Sequence, residues 1–234
     1  MSYTNGLDKP SDYFETKLYV GNESTNAITG LDFQPDLVWL KNRDTGYYHG
    51  LYDSVRGTGN TKSLYPNAAE AEGQNSGNMN LASFNSDGFT LGATSSTNII
   101  NKSSQNHVSW NWKAGTSFTN DASATSIGTI DSTGSFNNDS GFSIVSYTGN
   151  NTSGATLKHG LDTAPAMVIV KNRNRTDNRD WVVYHQKLTS ASYYIFLNST
   201  GAMAGAYANF WNNTAPNSSV ITLGSGDTGT NGNG

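Results

Sequence analysis

The sequence contains no cysteine, which excludes disulfides, thiolate zinc sites, iron–sulfur clusters and cysteine nucleophiles together. It has no excess of basic charge, with 14 Lys and Arg against 18 Asp and Glu. Such a balance provides no stripe of cations to neutralise a phosphate backbone, so nucleic acid is not an expected partner. Long apolar runs are missing too. Stretches such as Leu37 to Leu40 and Met167 to Val170 fall far short of the roughly 20 residues that a membrane-spanning helix needs. The opening "MSYTNGLDKPSDYF" lacks the apolar core of a signal peptide. The chain is therefore expected to be soluble, unprocessed and not inserted in a membrane.

Charged residues are scarce, at 14% of 234 residues, while Gly, Ser, Thr and Asn are abundant. This composition disfavours helices, because Ser, Thr and Asn compete for backbone hydrogen bonds and Gly costs entropy. It predicts an all-β fold with many turns.

One phrase occurs twice. "YVGNESTNAITGLDFQPDLVWLKNR" begins at Tyr19 and "YTGNNTSGATLKHGLDTAPAMVIVKNR" at Tyr147. Phe14, Tyr19, Gly21 and Asn22 recur as Phe142, Tyr147, Gly149 and Asn150. After a slip in register, Leu51 and Tyr52 pair with Val183 and Tyr184, and Thr90, Leu91 and Gly92 with Thr222, Leu223 and Gly224. Loops absorb such slips and paired strands do not. The expectation is two tandem β-sandwich, jelly-roll-like copies of about 100 residues each. Their bounds are an N-terminal arm over 1–13, a first copy over 14–113, a Ser/Thr/Asn/Gly-rich linker over 114–140 and a second copy over 141–234.

Short runs rich in aromatic and β-branched residues, bounded by Gly, Asn, Asp or Pro, place the strands. In the first copy they fall near 14–20, 37–42, 48–53, 61–65, 81–84, 88–92 and 107–112. In the second they fall near 142–147, 166–172, 180–185, 192–197, 206–211 and 219–223. "NSDG" at Asn85 to Gly88 reads as a hairpin turn. The linker has room for one strand around Thr125 to Ile130, and Asn67 to Glu72 is the best helical candidate. "DLVWLKN" and "AMVIVKN" alternate poorly, which predicts strands covered on both faces. The second copy lacks a counterpart of "HVSWNW", since only "SGDTGTNGNG" follows Gly224. That sheet position is empty, filled by another segment or lost by truncation. Truncation or completion by a neighbouring subunit is preferred, because open sheet edges are avoided.

Few motifs point to chemistry. "GSGDTG" at Gly224 to Gly229 matches a dinucleotide fingerprint in letters only, with no helix after it to hold a pyrophosphate. His49, His107, His159 and His185 lack metal-binding spacings, and His49 and His185 are not equivalent in the two copies. Asp36 and Asp53 are the conceivable acid pair for glycoside hydrolysis, but their counterparts are Ala166 and His185. No cofactor is implied. Calcium held by loop oxygens at Asn137 to Gly141 or Arg175 to Asp180 is the weakest option, because the same residues suit Asx-turns. "KNR" closes a strand in both copies, making Lys41, Arg43, Lys171 and Arg173 candidate partner contacts. Tyr47, Tyr48, Tyr207 and Trp211 offer flat faces for stacking on sugar rings, whereas Trp39, Trp110 and Trp181 belong in the core. Lys9, Pro10, Asp12 and Tyr13 are candidate anchor residues in an arm expected to be disordered alone and ordered on docking.

Phe14 to Asn22, Gly30 to Arg43, "YDSVRG" at Tyr52 to Gly57, "SDGFTLG" at Ser86 to Gly92 and Val108 to Gly115 together resemble a known repeat family. It comprises domains of unknown function in virion structural proteins of tailed phages, particularly marine ones. The second copy departs from it, with "YHQKLT" at Tyr184 to Thr189 and "NSSVITLG" at Asn217 to Gly224. The resemblance implies a non-enzymatic virion component at the particle surface, above all a tail fibre or appendage protein that serves host recognition and assembly. It also implies other virion proteins as partners, a host cell-surface glycan or receptor as ligand, and homo-oligomers, often trimers. A capsid decoration or head-fibre protein is the alternative within that class. A lectin-like or depolymerase module acting on glycans is the rival outside it.

Overall fold

The structure, a computed structural model, describes residues 9–74, 76–174, 179–205, 207–225 and 229–232. It is all-β. The chain divides into two compact units. One comprises Met1–Pro66, Glu72–Thr116 and Ser135–Ile144, and the other Asn67–Ala71, Ser117–Gly134 and Val145–Gly234.

The first unit holds β1 (Phe14–Val20), β2 (Asn26–Ile28), β3 (Leu37–Asn42), β4 (Gly50–Asp53), β5 (Leu81–Asn85), β6 (Gly88–Leu91) and β7 (Asn106–Trp112). They form two antiparallel sheets, ordered β1-β7-β3-β4 and β2-β6-β5. Val38 and Leu40 of β3, Tyr52 of β4 and Phe89 and Leu91 of β6 are fully buried. The Tyr19 ring of the first sheet meets Phe89 of the second edge to face, 6.5 Å between centroids. The hairpin at Asn85 to Gly88 forms as the sequence predicts, with those two residues paired. Only glycine fits its far end, because a Cβ on Gly88 would sit 1.9 Å from the Ile28 carbonyl oxygen.

The remaining elements are β8 (Thr116–Asn120), α1 (Ala122–Thr125), β9 (Ser132–Asn137), β10 (Phe142–Tyr147), β11 (Thr156–Lys158), β12 (Met167–Val170), β13 (Val182–His185), β14 (Ile195–Phe196), α2 (Ala208–Trp211) and β15 (Val220–Thr222). They make three small sheets, β10-β9-β8, β12-β13-β14 and β11-β15. The core of the second unit gathers Ile130, Leu157, Val168, Val182, Tyr184, Phe210, Trp211, Ile221 and Leu223. Tyr194 and Phe210 pack ring against ring at 4.5 Å within it.

Several expectations need correction. The 114–140 segment is not a bare linker with a strand at Thr125 to Ile130. Alternating Ser and Thr around apolar residues build β8 and β9 on either side of α1, which Asp121 caps by accepting the N–H groups of Ser123 and Ala124. Asn67 to Glu72 forms no helix, and 61–65 is a 3-10 turn plus an isolated bridge from Leu64 to Leu51. Of the strand expected over 206–211, residue 206 lies outside the described residues and Ala208–Trp211 is the helix α2, from whose single turn Phe210 and Trp211 are buried. Burial alternates along β3, with Val38 and Leu40 buried and Leu37 and Trp39 half-buried, and Met167 and Ile169 of β12 are exposed, so neither apolar run is covered on both faces. β10 pairs with β9, contributed from upstream, and β9 pairs in turn with β8, while β12 belongs to a separate sheet.

Candidate functional site

The anchor residues are fixed to the body from Lys9 onward, while Met1 to Asp8 of the arm lie outside the described residues. Lys9 pairs with Asp12 at 3.0 Å and Asp32 at 2.5 Å, and these bonds hold the Asp32 carboxyl below its usual range. Pro10 opens a 3-10 turn, and Tyr13 donates its hydroxyl to Asp139 at 3.4 Å. Residues 9–13 are thus tied to Asp32 and Asp139 within the chain.

The most unusual surface is the outer side of the four-stranded sheet. On β1, Phe14, Leu18 and Val20 are 40%, 66% and 59% exposed, while Glu15 and Lys17 point to the other side and pair at 2.6 Å. The inner face of β7 is correspondingly polar, with His107, Ser109 and Asn111 fully buried. Cross-strand register continues the outer row into Trp112, Trp110 and Val108 of β7, then into Leu37, Trp39 and Lys41 of β3. Phe14 packs on Trp112 at 4.9 Å, and Trp39 meets Trp110 edge to face at 6.1 Å. Trp39 and Trp110 are therefore half-buried wall residues rather than core. β1 is also the edge of its sheet among the described residues, so an apolar row and an open strand edge coincide, a combination that natural proteins normally cover.

The two "KNR" triads are not equivalent. Lys41 donates to the carbonyl of its neighbour Asn42 at 2.8 Å, and Arg43 is exposed. Lys171 instead donates to Ala69 at 2.7 Å and to Arg179, and Trp181 Nε1 donates to Ala68 at 3.1 Å. Lys171 thus holds a loop in place. Arg173 lines a polar pocket with Asp121, Asp131 and Ser132.

Among the aromatics, Tyr48 is 39% exposed and meets Tyr65 edge to face, Tyr47 is half-buried and Tyr207 is 39% exposed. Trp211, 1% exposed, is core and offers no stacking face. Its side chain turns inward from α2 onto Tyr184, 6.0 Å away.

Asp36 accepts Ser54 Oγ at 2.6 Å and the N–H groups of Ala114 and Gly115 at 2.9 and 2.8 Å. Asp53 pairs with Arg56 Nε at 2.5 Å. Both carboxylates are tied into structural bonds. Burial pushes the His49 imidazole down to about 4, helped by the Lys41 charge, and its Nδ1 accepts Trp39 Nε1–H at 3.1 Å. Burial also lowers His107 and His159. His159 donates from Nε2 to the Asn217 carbonyl and accepts Leu161 N–H at Nδ1, which fixes its neutral form.

Of the two loops considered for calcium, Asn137 forms an Asx-turn onto Ser140 N–H at 2.9 Å, and 175–178 lie outside the described residues. Among the described residues no three His, Asp or Glu converge as metal ligands. Residues 226–228 of "GSGDTG" also lie outside them.

A paired arrangement of asparagines escaped the sequence reading. Asn101 Oδ1 accepts Asn22 N–H at 3.1 Å and its Nδ2 donates to the Ser24 carbonyl at 2.8 Å. In the second unit Asn231 Oδ1 accepts Asn150 N–H at 2.9 Å and its Nδ2 donates to Thr152 at 2.8 Å. Tyr19 donates to the Ile100 carbonyl at 2.6 Å, and Tyr147 likewise to Thr230. The recurring "YxGN" was the visible half of each clasp. The other half sits in loop and tail residues that share only an asparagine.

These features define an all-β protein of antiparallel sheets, locked by buried asparagines, with an apolar row on an open edge. The chain belongs to the family described as a domain of unknown function, DUF7483, whose model matches residues 9–234. No curated protein and no solved structure matches it.

Proposed function

We propose that the chain is a non-enzymatic structural protein of a tailed-phage particle, a tail fibre or appendage component that assembles through its β1 face and displays loops for host recognition. The observation that carries this reading is the row of Phe14, Leu18 and Val20 on an open edge strand, over a polar inner face. A monomer has no use for that inversion, whereas an assembling subunit buries it, and burial contributes about 25 cal/mol for each Å² of apolar surface. The resemblance of its sequence motifs to phage virion repeats supplies the kind of particle. The two tandem sandwich copies are part of the same proposal, supported by the asparagine clasps that recur at matching positions. A stiff repeated module on a symmetric particle turns weak single contacts into avidity. Asp36 and Asp53, held by structural donors, lend no support to a depolymerase built on that pair.

The test is mass spectrometry of purified particles followed by cryo-electron microscopy. Density of this chain at the tail periphery, with the β1 face buried between subunits, is the expected result. A lattice of this chain over the capsid selects the decoration reading instead, and its absence from particles overturns both.

A further inference from the structure

The bonds that flank β1 fix which of its backbone groups face β7. The Tyr13 carbonyl accepts Lys113 N–H at 2.8 Å, and Gly21 N–H donates to the Gln105 carbonyl at 3.0 Å. Antiparallel pairing turns alternate residues toward the neighbouring strand, so Glu15, Lys17 and Tyr19 direct their N–H and C=O groups at β7 in the same register. Those of Phe14, Thr16 and Leu18 point to the open side, where no further strand lies among the described residues. The Val20 carbonyl accepts Asn26 Nδ2 at 3.1 Å, which closes that side at its C-terminal end and leaves 14–18 as the open stretch, with Thr16 at its centre.

The order of the side chains decides what can lie there. Phe14, Thr16 and Leu18 stand exposed on the outer face, and Glu15 and Lys17 sit half-buried on the other, 2.6 Å apart. A second β1 laid antiparallel, with a two-fold axis through Thr16, brings Phe14 of each copy against Leu18 of the other. It also sets Glu15 of each copy against Lys17 of the other. The apolar residues meet on one face, the opposite charges meet on the other, and the axis repeats each contact. The N–H groups of Phe14, Thr16 and Leu18 then donate to the carbonyls of Leu18, Thr16 and Phe14 across the axis, as in an ordinary antiparallel ladder. Other registers lose this match. An axis through Glu15 or Lys17 opposes that charge to itself, and one through Leu18 sets Phe14 against Asn22 and Glu15 against Gly21. A parallel pairing in register opposes Glu15 to Glu15.

We propose that two copies of this chain join by antiparallel pairing of β1 with β1, centred on Thr16, so that the sheet β1-β7-β3-β4 of one copy continues into that of the other. The inference deepens the assembly step of the function proposed above and rests on it for the view that β1 meets another subunit. The dimer is testable on the purified chain, apart from any particle.

The experiment is sedimentation equilibrium of the full chain, of its Glu15→Lys and Lys17→Glu variants, of an equal mixture of those two variants and of the variant carrying both changes. Concentrations of about 5 to 500 µM cover the range that a small strand-edge interface calls for. The natural chain is expected as a dimer. Each single variant places like charges across the axis and should weaken the dimer about tenfold. In the mixture, opposite charges face each other only between unlike copies, so a heterodimer of near-natural affinity should form. The double variant should return to a homodimer. Mixing does not repair the Glu15–Lys17 bond inside either chain, so recovery separates the pairing from a local structural role of that bond. Amide exchange followed by NMR should show Phe14, Thr16 and Leu18 gaining protection as concentration rises, with Glu15 and Lys17 protected throughout. A monomer over the whole range, a trimer, no recovery in the mixture, or a dimer whose Thr16 amide exchanges as in the monomer would each overturn the proposal. Absence of the chain from particles would remove the phage reading and leave the dimer standing.

Discussion

Asn231 accepts the backbone N–H of Asn150 at 2.9 Å and donates to the carbonyls of Thr152 and Gly224 at 2.8 and 3.1 Å. Asn101 does the same for Asn22 and Ser24. Both side chains are fully buried, so truncation leaves backbone groups without partners and without water. Asn231→Ala and Asn101→Ala should each cost roughly 2–3 kcal/mol. Urea unfolding of both variants measures this, and a loss below about 0.5 kcal/mol in either would show that the clasp is dispensable.

The histidines give the protein a pH dependence with a definite sign. Burial is the main cause of the depressed pKa of His49, His107 and His159. Below the unfolded value of about 6.5, the unfolded chain takes up protons that the folded chain refuses. Their contribution to stability is therefore present above that value and is lost as pH falls toward the folded values, about 4 for His49. Stability should fall from pH 7 to pH 5 with a slope of up to about 1.4 kcal/mol per pH unit for each fully titrating ring. Urea midpoints that stay level or rise across that range would contradict the assignment. His107→Gln should flatten the slope.

Lys41 and Lys171 hold the same place in the repeated phrase, but they should respond differently to removal. Lys171 bonds the carbonyls of Ala69 and Arg179, whereas Lys41, among the described residues, bonds its neighbour Asn42. Charged donors that tie distant carbonyls are worth about 1.5–3 kcal/mol, and a bond to the adjacent residue, which constrains little of the chain, much less. Lys171→Ala should lower stability by about 2 kcal/mol and Lys41→Ala by less than about 0.5. Equal losses in a thermal or urea comparison would mean that the triads act alike after all.

The legible part of the fold was local. Strands with strong aromatic and β-branched content, β1, β3, β7 and β10, lie where the pattern put them, and Asn85 to Gly88 turns as its composition demands. Three-residue strands such as β2 and β11 are too short to show a period. β8 and β9 were hidden because Ser and Thr serve loops and sheets equally, and the partner that makes β9 a strand is β10, downstream. That misreading also hid the pocket, since Asp121, Asp131 and Ser132 all fall in the supposed linker. Burial of Trp211 depends on α2 folding over Tyr184, a tertiary contact with no signature in its own neighbourhood.

The alternation in "FETKLYV" bears most directly on assembly. It places Tyr19 against His107, stacked at 5.0 Å, on the inner side, and leaves Leu18 at 66% and Val20 at 59% exposure on the outer side. A change at Leu18 therefore touches little within one chain and should alter its stability by no more than about 0.5 kcal/mol. If the β1 row is where subunits meet, Leu18→Lys places a strongly hydrated ammonium inside a dry apolar contact, and desolvating it costs several kcal/mol. Analytical ultracentrifugation should then show the natural sequence as an oligomer and Leu18→Lys as a monomer with a nearly unchanged melting temperature. An oligomer that survives the substitution would move the interface elsewhere. A natural chain that stays monomeric at high micromolar concentration would instead limit the β1 row to contacts with a different protein of the particle, for which Leu18→Lys should reduce incorporation.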